Sequence, residues 1–134
     1  MSTTTTVQGI AIRKGPHRGG DLHCLEVAIA VNGTYAQGAH PSFDLLTALQ
    51  AERHQGISAV NVTGVTAFQD GDDGTNVYTA PNADVVLSGT GNQTVTFQIH
   101  SGATDGATGT ELANGTSVQH IFSFIVIAGI TGNF

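Results

Sequence analysis

The chain has 134 residues, 40% of them apolar and only 10% charged, with a formal net charge of −6. This length suits one domain with its own hydrophobic core, and the charged fraction is far below the ~25% usual for soluble domains. Four Lys and Arg against ten Asp and Glu argue against nucleic acid, whose phosphate backbone takes several cations along one face.

The surface must therefore be built from Thr, Ser, Asn, Gln and Gly, and so weakly charged a surface is expected to sit among protein partners. We expect a single β domain over residues 1–134, with a short N-terminal tail (1–6) and a Gly/Ala/Thr-rich loop or arm (101–116). The tail is polar, without the basic-then-apolar order of a secretory signal, which predicts synthesis in a cytosol.

Beyond the tail, Val7, Ile10 and Ile12 in β-branched surroundings predict a strand over 6–13, with Gly9 marking a bulge. Gly15, Pro16, Gly19 and Gly20 then form a loop. It carries Arg13, Lys14 and Arg18, read as a solvated turn or a protein contact. Next comes an alternating strand in which His23, Leu25, Val27, Ile29 and Val31 form the apolar face. Asn32-Gly33 predicts a tight turn at its end.

The helical signal lies between Pro41 and Gly56. Phe43, Leu45, Leu46 and Leu49 share one face, Ser42 caps the first turn and Gly56 stops the helix. Alternation returns from Ile57 through Val60, Val62, Val65 and Phe68, and ends at the turn dipeptides Asp70-Gly71 and Asp73-Gly74. Short strands follow over 76–79, 84–88 and 93–100, with 89–92 as a hairpin turn.

Residues 101–116 offer little to bury except Leu112 and read as a long loop or mobile arm. Residues 118–130 form a nearly continuous β-branched apolar strand of the kind buried on both faces, either a central core strand or an intersubunit strand. Its apolar run is far shorter than the ~20 residues that span a bilayer, so no membrane partner is expected. Many short strands, Gly turns and one short helix predict a mainly β fold, an antiparallel β-sandwich or barrel.

Chemical motifs are weak. Asp70-Gly-Asp72-Asp73-Gly74 departs from a calcium hand in the position of its glycine and lacks the closing Glu, so it reads as an acidic hairpin tip. The six histidines, at 17, 23, 40, 54, 100 and 120, lack the close pairing of zinc sites. Cys24 is the sole cysteine, expected to be buried and structural, since His23 beside it points to the opposite face of a strand. The acid pairs Asp72/Asp73 and Glu26/Asp44 have the residue type for glycoside hydrolysis, but nothing in their spacing sets them across a cleft.

Four Asn-x-Thr sequons, at Asn32, Asn61, Asn92 and Asn114, are a by-product of Thr-rich turns. No catalytic residue, metal site or cofactor is expected, and the chain is read as a non-enzyme. With Tyr35 and Tyr78 its only tyrosines and no tryptophan, it has few rings for a sugar-stacking platform.

The order Leu25-Glu-Val-Ala-Ile-Ala-Val31, Asn32-Gly-Thr-Tyr35, Gly38, Phe43-Asp-Leu-Leu46 and Ile57-Ser-Ala-Val-Asn-Val62 resembles small virion proteins of tailed phages. The resemblance implies a capsid decoration, or cement, protein. Such a β-sandwich, often a homotrimer, sits on the outer shell, binds the major capsid protein and bridges neighbouring capsomers. The implied location is the virion surface, after synthesis in the host cytoplasm. A tail or fibre component and a lectin-like module are the alternatives. Phe122, Phe124 and Phe134 are candidate subunit contacts because aromatics dominate interface energetics, with core packing as their other role.

Overall fold

A computed structural model describes residues 3–13, 22–51, 56–67, 77–102 and 110–132. In chain order the elements are β1 (Thr3–Arg13), β2 (Leu22–Thr34), β3 (Ser42–Asp44), α1 (Leu45–Ala51), β4 (Ile57–Ala67) and β5 (Val77–Thr79). They continue with β6 (Val86–Ser88), β7 (Thr94–Thr96), β8 (His100–Gly102), β9 (Thr110–Glu111) and β10 (Ser117–Gly132). The chain is mainly β, every pairing is antiparallel, and among the described residues there is one α-helix.

The four long strands form one sheet in the order β1-β2-β10-β4, and two three-stranded sheets follow the orders β3-β7-β6 and β5-β8-β9. The last strand thus enters between β2 and β4, with both its backbone edges paired. A run of β-branched and aromatic residues suits that central place, because such side chains pack well on a pleated surface. Its inner face meets the second layer through aromatic rings. Phe97 lies 5.8 Å from Phe122 and 4.9 Å from Phe124, and Phe43 lies 5.5 Å from Phe124, between centroids. The layering is sandwich-like.

Leu25, Val27, Ile29 and Val31 of β2 are buried in one core with Tyr35, Leu45, Leu49, Val95, Phe97 and Ile99. The bulge expected at Gly9 is present as a register shift between Val7 and Gly9. A turn at Gly89–Asn92 joins β6 to β7, as expected, with Gly91 at φ 63° and Asn92 at φ 53°.

Several local expectations differ. β2 runs straight through Asn32-Gly33, because Gly33, at φ 124°, is paired to Thr3 on one side and Val118 on the other. A ladder on both edges keeps the dipeptide extended where an isolated hairpin would turn. Residues 42–44 are drawn into β3 by pairing with β7. The helix consequently starts at Leu45, capped by Asp44, whose Oδ1 accepts the Thr47 N–H at 2.9 Å. The predicted 93–100 strand is divided: β7 belongs to one small sheet and β8 to the other.

The segment 101–116 is no simple loop, since β8 and β9 pair across it and Leu112 is buried. The expected acidic tip at Asp70 to Asp73, the Lys14 and Arg18 cluster, Phe68 and Phe134 lie outside the described residues. No helix among the described residues is long and apolar enough to cross a membrane.

Candidate interaction surface

β10 alternates strictly over its central length. Val118, His120, Phe122, Phe124, Val126, Ala128 and Ile130 are buried, whereas Gln119, Ile121, Ser123, Ile125, Ile127 and Gly129 face the other way and keep some exposure. Residues directly opposed in an antiparallel pair share a face. The register therefore places Asn32, Ala30, Ala28, Glu26, Cys24 and Leu22 of β2 beside that second set. Thr66, Gly64 and Asn61 of β4 flank it on the other side.

The result is an outer sheet face that carries an uncovered apolar stripe among polar residues. Ile121 is 53% exposed and Leu22 42% exposed, while Ile125 and Ile127 are half-buried by their neighbours alone. Among the described side chains of this face, Glu26 alone is charged. An antiparallel sheet with one face in the core normally turns polar residues outward. Ile121 and Leu22 depart from that pattern.

The aromatic candidates fall elsewhere. Phe122 and Phe124 are fully buried in the core, so no partner reaches them in the folded chain. The outward residues one step out of phase, Ile121 above all, are the ones available for contact. A period-2 reading of β10 that followed both faces could have found them. Cys24, expected in the core, is half-buried on the outer face opposite Ile127. The phase of β2 decides this, because Leu25 next to it points inward.

A second feature joins residues remote in sequence. The Glu111 carboxylate accepts hydrogen bonds from the Tyr35 hydroxyl at 2.7 Å and from His40 Nε2 at 2.8 Å, both on Oε2. The Tyr35 oxygen in turn accepts the Ile99 N–H at 3.2 Å. His100, opposite Glu111 across the β8–β9 pair, lies with its Nε2 3.1 Å from Gln98 Oε1 and 3.5 Å from Asp84 Oδ2. These histidines, read as isolated in the sequence, have acidic partners in space.

The Tyr35 hydroxyl, with help from His40, holds the Glu111 carboxyl below the usual carboxylate range. Burial pushes the Tyr35 phenol well above its ordinary value, against the opposing hydrogen bond from Ile99. The group acts as a clamp. It ties the segment after β2 to β9 and to the chain before β8, while the buried Nδ1 of His100 beside it has no hydrogen-bond partner among the described residues. Among the described residues no three His, Cys, Asp or Glu side chains converge as a metal site would require.

Glu26 and Asp44 occupy different elements with different duties. Glu26 stands on the outer face of β2, whereas Asp44 caps α1 and also accepts the Gln93 side-chain amide at 2.8 Å. Tyr35 and Tyr78 are both buried and offer no stacking face. Comparison of the chain with protein-family models, with curated proteins and with solved structures finds no match.

Proposed function

We propose that this chain is a non-catalytic structural subunit that binds the outer surface of a protein shell, of the phage capsid type, and stabilises it by bridging the major capsid protein's subunits. The observation that carries this reading is the uncovered apolar stripe on the outer face of the four-stranded sheet, in a chain with so few charges. Many copies held at symmetry-related sites stabilise an assembly by mass action and avidity, even when each interface is modest. A homo-oligomer is the form expected of it.

The burial of both tyrosines weighs against the lectin-like alternative, because sugar recognition commonly uses exposed rings. A tail or fibre subunit would share the same surface chemistry, and shell binding separates the two. Purified protein is mixed with shells lacking it and sedimented. Saturable co-sedimentation at a fixed ratio to the shell protein is expected. Protein that stays in the supernatant at every concentration would overturn the reading.

A further inference from the structure

We infer that the outer face of the β1-β2-β10-β4 sheet is covered by a second copy of this chain. The inference rests on the assembly reading above: this face joins two copies, and the pair then meets the shell through its remaining surface. Size is the first argument. β2 contributes 13 residues, about 43 Å at ~3.3 Å per residue, and four strands ~4.8 Å apart give a width of about 19 Å. The face thus offers roughly 800 Å², close to the ~800 Å² that each partner brings to a stable interface.

Charge is the second argument. At a net charge of −6, two copies repel unless they meet where acids are few. Of the four acidic side chains described, Asp44, Asp84 and Glu111 belong to the elements of the two small sheets and their connections. Only Glu26 stands on the outer face. The register also places Arg13 on this face, opposite Cys24; with Glu26 that is one residue of each sign, a set that a second copy matches by symmetry.

Shape is the third. Of the isoleucine row of β10, Ile121 stands beside Ala30 and Ile127 between Cys24 and Gly64, with Ile125 between Glu26 and Thr66. A ridge next to a trough is self-complementary. The ridge of one copy can seat in the trough of another at the ~10 Å spacing of packed sheets. The chemistry required is nonpolar burial alone, with no group transferred.

The test is the solution mass of the full chain by light scattering over a dilution series, for the native sequence, Ile121→Asp and Val86→Asp. Val86 is a control, since it is 57% exposed on β6 in a small sheet. The native chain and Val86→Asp are expected as dimers, because a face that packs on its own copy closes at two, and Ile121→Asp as a monomer or at least tenfold weaker in association. A native monomer at all concentrations, or an Ile121→Asp mass equal to native, would overturn the inference.

Cys24 supplies a readout that needs no variant. As the only cysteine, lying on the same face, it should react with a maleimide several-fold faster on dilution below the association midpoint. A rate independent of concentration counts against the inference. A monomer that still co-sediments with shells defeats the second copy and leaves the assembly reading intact. A multimer that fails to bind shells does the reverse.

Discussion

Ile121 and Phe122 are neighbours on β10 that face opposite sides of the sheet: the phenyl ring is 0% exposed and the isoleucine 53% exposed. Their substitutions should therefore separate core from surface. Phe122→Ala removes a ring packed against Phe97 and should cost about 3–5 kcal/mol. Ile121→Thr, which keeps a β-branched side chain, should change the stability of the isolated subunit by less than ~0.5 kcal/mol. Urea unfolding in dilute solution measures both, and equal losses would mean that the outer face is part of the subunit's own core.

Tyr35→Phe should weaken the clamp between distant segments. It removes the donor to Glu111 Oε2 and leaves the buried Ile99 N–H without its acceptor. Such a loss costs about 1–3 kcal/mol. Thermal unfolding at neutral pH checks it, and an unchanged midpoint would show that water replaces the hydroxyl.

The pH dependence follows from three groups. Glu111 is held down chiefly by the Tyr35 hydroxyl. Asp44 is pushed up by burial but lowered overall by hydrogen bonds from the Thr47 N–H, the Gln93 amide, the Thr47 hydroxyl and the Leu46 N–H. Both carboxyls ionise more readily in the folded chain, so their contribution is complete above the unfolded carboxylate value of about 4. It is lost as pH falls through the folded values. Tyr35 is raised, so its contribution is complete below the unfolded tyrosine value of about 10 and fades as pH climbs above it.

Urea titrations from pH 7 down to 2 should show the acid loss reduced in Glu111→Gln, and absorbance near 295 nm should show Tyr35 ionising only as the chain unfolds in alkali. Ionisation of Tyr35 in folded Tyr78→Phe protein near pH 10 would contradict this.

Two glycines should respond in opposite ways to alanine. Gly91 sits at φ 63°, and a Cβ there would collide with the Val60 carbonyl oxygen, so Gly91→Ala should cost at least ~1–3 kcal/mol. A Cβ at Gly64 meets nothing within 4 Å, and Gly64→Ala on an extended strand should be neutral or stabilising by a few tenths of a kcal/mol. Chemical denaturation of the pair checks both.

What the sequence revealed depended on the range of the interaction. The alternation of β2, the bulge at Gly9 and the turn at Gly89–Asn92 are local, and each was legible from period and turn chemistry. Asn32-Gly33 misled because the ladders that keep it extended come from Thr3 and Val118, one strand before it and one far after. Tyr35 and Glu111 lie 76 positions apart and His40 and Glu111 71 apart, a separation that no spacing rule reaches. The apolar run of β10 was plain, but isoleucines on both of its faces left open which face had a cover. The aromatic residues took the inward phase, and the outward phase fell to the aliphatic ones between them.

The central claim is that this chain strengthens a shell from outside, and graded heating of shells with and without it tests that claim most directly. Shells carrying the protein should rupture at a higher temperature, with the gain falling as the protein is diluted away. Rupture of both at the same temperature would contradict the account.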